Sequence, residues 1–465
     1  MRKALLLLPA ALLIISWINE NSAAAQTVAP ETWSNAKWIA YEQLQDSLLI
    51  VPAVHGSGDH LGAKGLKRSV VPMFRKEFII EDSIESAVIH ISGLGHYELY
   101  MNGEKIGDRF LSPGWTYYQK RVFYNSFDIT EQLTEGGNAI GVLVGNGFYN
   151  VNRERYRKLV VAYGYPKLIF NIQITMKNGT VKNVVSDADC KVRPSPITFS
   201  SIFGGEDYDA RLEQDGWCSY GFDDEGWQKV LFPVEAAHKL VPEEDYPLKV
   251  MDEFLPIQVS KSKSGRKIYD FGQNASGIIS LKVKGNRGTR IIIRPDELLN
   301  AEGNITQQSG GGPYELNYTL KGKGIEEWQP RFTYYGFRYA DVEIIKAEKN
   351  SDKTEIVELK LLHTRNSAPA KGTFSCSDTL FNQIFDLINW SIKSNLASVT
   401  TDCPHREKLG WLEQTYLVGP SIHYNYDIQR LYNKIVDDMI DSQLENGLVP
   451  DIAPEYVPFE GGFRD

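Results

Sequence analysis

The chain has 465 residues, more than one compact core usually holds, so about two to four domains are expected. Its formal net charge is −9 with no run of like charge, and without a basic patch or stripe a nucleic-acid binder is set aside. Aromatic residues make up 11%, with 24 Tyr and 9 Trp, which suits strand surfaces and also suits enzymes that lay flat rings against sugars.

Arg2 and Lys3 precede an apolar run from Ala4 to Ile15, and Ala23, Ala24 and Ala25 follow. That order reads as a secretory signal cut before Gln26. A membrane anchor is the alternative, but a spanning helix needs about 20 apolar residues and this run is shorter. Residues 1–25 are therefore expected to be removed, and the rest to be periplasmic or extracellular. No Cys stands at the cleavage site to carry a lipid, and no later stretch is apolar enough to span a bilayer. Cys190, Cys218, Cys376 and Cys403 are too few and too far apart for a disulfide scaffold. They have no C-x-x-C pair for zinc, so buried thiols are expected and no metal ligand is assigned.

From about 68 to 365 the pattern is that of half-buried strands. Ile279, Leu281 and Val283 alternate with Ser280, Lys282 and Lys284, and Val357, Leu359 and Leu361 alternate with Glu358 and Lys360. Turn signals recur at Asn102-Gly103, Asn178-Gly179, Gly136-Gly137-Asn138 and Gly310-Gly311-Gly312-Pro313. Two successive β-sandwiches are expected, over 26–240 and 241–365, with the joint among Pro233, Pro242 and Pro247. The Asn-x-Ser/Thr triplets at Asn178, Asn274, Asn304, Asn317 and Asn389 are read as chance.

After Asn366-Ser367-Ala368-Pro369 the period changes. Phe381, Ile384, Phe385, Ile388, Ile392 and Leu396 lie at helical spacing, as do Ile428, Leu431, Ile435, Met439 and Leu444, with Gly447 as a C-terminal stop. Residues 366–465 thus read as the opening of a helical domain. About three helices cannot close a large helical core, so a chain cut within that domain is expected.

Between these helices lies Thr401-Asp402-Cys403-Pro404-His405-Arg406-Glu407-Lys408-Leu409-Gly410-Trp411. Glu407 and Trp411 are four apart and share a face if a helix starts after Pro404. A carboxyl beside an indole in an apolar pocket gains pKa by desolvation, as a general acid requires. A helix start with solvated charges and a buried Trp is the alternative. His405 and His423 have no partner at metal spacing. Asp451, Glu455 and Asp465 read as solvated loop charges.

The motif resembles the signature of the bacterial α-L-rhamnosidases of glycoside hydrolase family 78: D-C-P-x-R, then Glu, then Trp four residues later. Upstream segments match the same family: Leu99–Gly103, Leu111–Thr116, Gly145–Tyr149, Gly205–Arg211, Asp270–Asn274 and Phe332–Tyr339. The resemblance implies two β-sandwiches followed by the first helices of an (α/α)6 barrel, and inverting hydrolysis of terminal α-L-rhamnosyl bonds. On that template Glu407 is the general acid, Asp402 holds sugar hydroxyls and Trp411 forms a pocket wall. His405 and Arg406 sit inside the motif as further substrate-binding candidates. The second carboxylate, the general base, is implied further along the helical domain, beyond Asp465. Many relatives carry Asp three residues after the Trp, where this chain has Gln414. Glu413 substitutes only if the local turn shifts, so that sugar contact stays open.

The resemblance implies no cofactor and leaves calcium in a sandwich loop open. The partner it implies is a rhamnose-containing oligo- or polysaccharide. A non-catalytic carbohydrate-binding protein and a related exo-glycosidase for another terminal sugar are the alternatives. Oligomeric state is not legible.

Overall fold

A computed structural model describes residues 30–48, 50–54, 68–151, 154–156, 159–233, 239–263, 265–308, 310–347 and 353–456. The expected leader over 1–25 lies outside them, as do Asp465 and residues 234–238 of the expected joint. Among the described residues no helix is long and apolar enough to cross a membrane, which says nothing of β-barrels.

Two six-stranded sheets form the first sandwich. The strands Ile84–Leu94 and Lys167–Met176 turn Ile89, Ile91, Phe170 and Ile172 inward. Pro72–Ile80, His96–Met101 and Gly136–Gly145 answer with Phe74, Leu99, Val142 and Val144. Period-two alternation puts these side chains on one face of each sheet, where their burial drives the packing. The Asn102-Gly103 signal is a tight hairpin turn with both residues at positive φ, 50° and 91°. That conformation matches the right-handed twist of the flanking strands.

The second sheet system is built around Lys267–Lys284, which pairs first with Tyr335–Ile345 and then with Glu355–Asn366. Its register slips between Asp270 and Ala275, so Phe271-Gly272-Gln273-Asn274 bulges out of the ladder, with Gly272 at φ 77°. Ile279, Leu281 and Val283 are fully buried, as their alternation predicts. Val357 departs from the prediction and is 45% exposed, while Leu359 and Leu361 are buried. The pairing skips from Val283↔Ile356 to Lys282↔Glu358, so Val357 is the extra residue of a bulge and faces outward.

The first sandwich and the ten-stranded second sheet share backbone. The hairpin Ile197–Ser201 with Gly205–Asp209 pairs in parallel with Glu315–Thr319 at the edge of the second sheet. Gly205 sits at φ 105°, and a Cβ there would lie 1.9 Å from the Glu315 carbonyl oxygen, so only glycine permits this junction.

Three helices follow: α1 (Thr379–Asn395), α2 (Leu412–Asn425) and α3 (Gln429–Ser442). Asp378 caps α1 by accepting the Leu380 N–H at 2.8 Å. The helices meet over Ile392, Leu396, Ile422, Ile428, Leu431 and Ile435. Much of the rest of the expected apolar face of α1 turns outward, with Phe381 57%, Ile384 41% and Ile388 47% exposed. Cys190, Cys218 and Cys403 are the expected buried thiols, but Cys376 is exposed, because it stands in the loop before the α1 cap rather than in a core.

Asp245, in the link between the sandwiches, is 8% exposed and accepts from the Tyr246 N–H and from Asn366 Nδ2. Burial, and then the Glu243 charge, push its carboxyl up to about 7. A carboxyl raised in the folded state holds its proton there longer than in the unfolded chain. Stability should therefore decline from about pH 4 to about pH 7 and level off above. Asp245→Asn is expected to flatten that slope in thermal midpoints recorded between pH 4 and 8; an unchanged slope would remove Asp245 as its source.

Candidate active site

The segment from Val399 to Trp411 links α1 to α2 without regular structure. The helix conditionally placed after Pro404 does not form: residues 404–407 make a turn, and α2 starts at Leu412. Two causes are visible. The Pro404 carbonyl accepts the Gly336 N–H at 2.9 Å instead of bonding within the segment. Lys408 adopts φ 56°, a left-handed conformation that ends any helix and costs a non-glycine residue about 1–3 kcal/mol.

Glu407 and Trp411 meet nonetheless, because the loop closes on itself. The Asp402 N–H donates to the Leu409 carbonyl at 3.2 Å, and the Leu409 N–H donates to Asp402 Oδ1 at 3.3 Å. Trp411 Nε1–H then donates to Glu407 Oε2 at 3.1 Å. The far side of the loop is held by residues 451–453, where the Ala453 N–H bonds the Gly410 carbonyl and the Leu412 N–H bonds the Asp451 carbonyl. Asp451 thus serves through its backbone.

The two carboxyls of the loop interact. Asp402 is raised above the ordinary carboxylate range by burial, then by the Glu407 charge and a hydrogen bond to Glu407, while bonds from Cys403 and the Leu409 N–H act the other way. Neighbouring carboxyls in one half-buried site resist double ionisation, so a proton is kept on the pair to higher pH.

Both sheet systems brace this loop. Tyr156, 2% exposed, donates its hydroxyl to the Arg406 carbonyl, and its ring stacks on Phe203. His405 is 8% exposed; its Nδ1 accepts the Arg406 N–H at 2.8 Å, and Nε2 lies 3.2 Å from Glu297 Oε2. Burial pulls the His405 pKa down, but hydrogen bonds and charge from Cys403 and Glu297 outweigh it and raise the ring to about 9, so Nε2–H donates to Glu297. Asn274, from the bulged strand, donates to the other Glu297 oxygen at 3.1 Å. Gly336 must be glycine, because a Cβ there would meet the Pro404 ring at 2.4 Å. The segments Asp270–Asn274 and Phe332–Tyr339 therefore converge on the loop.

Of the predicted site residues, the structure joins Asp402, Glu407 and Trp411 directly, and His405 and Arg406 through the backbone. The Arg406 side chain is exposed. Glu413 and Gln414 stand in the first turn of α2, exposed and half-buried respectively, and His423 is exposed near the end of that helix. Sequence reasoning missed Tyr156 and Glu297, which lie 250 and 108 residues from their partners in the loop. Neither carries a local signal, and only the match of the sandwich segments pointed to their neighbourhoods. Among the described residues no group of three His, Cys, Asp or Glu is arranged to hold a metal ion.

Comparison with known proteins follows this layout. Residues 82–252 match the family model of the alpha-L-rhamnosidase N-terminal domain. Residues 260–361 match the bacterial alpha-L-rhamnosidase concanavalin-like domain, and 369–464 the bacterial alpha-L-rhamnosidase 6 hairpin glycosidase domain. An alpha-L-rhamnosidase of Formosa agariphila is 35% identical over 378 residues, covering 79% of this chain and 39% of that protein. The solved alpha-L-rhamnosidase of Dictyoglumus thermophilum is 35% identical with a TM-score of 0.82, covering 93% of this chain and 47% of the other. That of Streptomyces avermitilis, complexed with L-rhamnose, is 31% identical with a TM-score of 0.77, covering 85% and 38%. The chain thus spans less than half the length of each of these relatives. Matched by three successive family models along its length, the chain belongs to the bacterial α-L-rhamnosidase family.

Proposed function

We propose that the whole protein is an exported glycoside hydrolase that removes terminal α-L-rhamnose from plant or algal glycans by inverting acid/base hydrolysis. The observation that carries the mechanism is the Asp402–Glu407–Trp411 contact. Glu407 is half-buried, crowded by a second carboxyl and oriented by an indole N–H. It would give its proton to the leaving glycosidic oxygen as the bond to the sugar carbon breaks. Asp402 would hold sugar hydroxyls, Trp411 would wall the pocket, and Arg406, His405, Glu413 and Gln414 would line or brace its rim. Water would enter from the opposite face of the ring, activated by a second carboxylate roughly 6.5–9.5 Å from the acid. We assign that base to the part of the protein that follows these residues in its relatives.

The same reading gives two sandwich regions, 26–240 and 241–365, and makes α1 to α3 the first helices of the (α/α)6 barrel. Their uncovered apolar side chains support it: Leu387, Tyr416, Tyr424 and Ile440 are each more than 60% exposed. A concavity of about 770 Å³ between α2 and α3 has a largely apolar lining that includes Tyr416, Pro420, Tyr424 and Met439. Surface of this kind calls for a covering partner.

On this reading the 465 residues by themselves should turn over no aryl α-L-rhamnoside, since the second carboxylate is assigned to the part that follows them in the relatives. Measurable hydrolysis by the purified chain would refute that division of labour. The full-length protein, assayed on a panel of terminal-sugar glycosides, should prefer α-L-rhamnosides. A different preferred sugar would favour the related exo-glycosidase, for which Gln414 is the specific pointer; binding without turnover would favour the non-catalytic alternative.

A further inference from the structure

Lys408 follows the acid directly in sequence, yet its side chain runs the opposite way, into the protein, and is 0% exposed. Its Nζ donates to the carbonyl oxygens of Ile202 and Tyr334. The rings of Tyr335, Tyr334 and Phe203 surround it at 4.4, 4.5 and 5.4 Å. Ile202 lies in the turn of the hairpin that leaves the first sandwich, and Tyr334 immediately precedes a strand of the second. The amine therefore ties the loop to both.

A space-filling role explains little of this. An aliphatic side chain of the same length would fill the cage without the cost of burying an amine, which pulls the Lys408 pKa well below its ordinary value. Glycine would serve the left-handed backbone better. An amine kept at a strained position beside the acid has its use in the two hydrogen bonds, which pin the backbone where the chain reverses between a half-exposed and a fully buried residue.

We propose that Lys408 is a positioning residue for Glu407: by clasping the Ile202 and Tyr334 carbonyls it fixes the loop backbone and so aims the acid at the leaving-group oxygen. The role rests on the reading of Glu407 as general acid. It makes the two sandwiches part of the catalytic alignment.

A misaimed acid hurts poor leaving groups most, because a good one departs without a proton. The test uses the full-length protein with methyl α-L-rhamnoside and 2,4-dinitrophenyl α-L-rhamnoside, together with thermal midpoints. Lys408→Met should lower kcat/KM on the methyl glycoside at least about tenfold more than on the dinitrophenyl glycoside, mainly through kcat. Lys408→Gly, which suits the backbone but has no amine, should behave like the methionine variant. Should the latter fail to fold, Lys408→Leu, which also lacks a donor, carries the same comparison. Equal losses on both substrates, or wild-type behaviour in the glycine variant, would overturn the role while leaving the glycosidase reading intact. A wild-type protein inactive on both substrates would overturn that reading, and this role with it.

Discussion

Glu407→Gln in the full-length protein is expected to lower kcat on an unactivated α-L-rhamnoside by about 10²–10⁴-fold, the usual contribution of a positioned general acid. The substitution is nearly isosteric. The amide oxygen can still accept the Trp411 N–H that now reaches Glu407 Oε2 at 3.1 Å, so the loop should keep its shape. What is lost is the proton. KM should change little, because the interaction matters when the bond breaks rather than when the substrate binds. The loss should shrink on a dinitrophenyl glycoside, whose leaving group needs no protonation. The change also removes the neighbouring charge that helps raise Asp402, so that carboxyl should ionise at lower pH in the variant. Steady-state kinetics on both substrates decide the matter, and a wild-type rate on the unactivated one would remove Glu407 from the role.

Arg121→Met should cost the largest amount of stability, on the order of 3 kcal/mol, or roughly 6–12 °C in the midpoint of a 150–250-residue cooperative unit. Arg121 leaves the first sandwich and reaches three carboxylates on α3: Asp437 at 2.9 Å, Asp438 at 3.0 Å and Asp441 at 2.6 Å. Their exposures differ, and so should their shares. Asp437 is 58% exposed and screened by water, so its pair is worth little. Asp438 is fully buried and Asp441 largely so, and burial already raises both carboxyls despite the arginine. Removing the guanidinium strands them, with Lys434 at 2.6 Å left to serve Asp438. The loss should grow as pH rises, since the carboxylates must then ionise without their cation. A double-mutant cycle with Asp438→Asn should show strong coupling; additive effects would mean that the pair does not join the sandwich to α3.

Much of this architecture was legible locally. Alternation at Ile279, Leu281 and Val283 placed a strand and its buried face, and Asn102-Gly103 placed a hairpin, because strand period and turn conformation depend on residues a few positions apart. Helical spacing located α1 and α3. It also showed which side of α1 is apolar, yet not what covers Phe381 and Ile388, since periodicity is silent about the neighbour. Val357 escaped for a related reason: a bulge is set by how two strands come into register, and one strand alone does not show it.

The motif itself belongs to the sequence. The residues from Asp402 to Trp411, with the sandwich segments before them, named the family and the acid candidate without any coordinates. How that acid is held belongs to the tertiary structure. The spacing of Glu407 and Trp411 suggested a helix, and the same contact arises instead from a loop reversed at Lys408. The groups that brace it, Tyr156, Glu297, and the Ile202 and Tyr334 carbonyls, come from strands and turns far away in the chain. Their part rests on which buried surfaces meet when the sandwiches close, a property of the whole fold that no window of neighbouring residues contains.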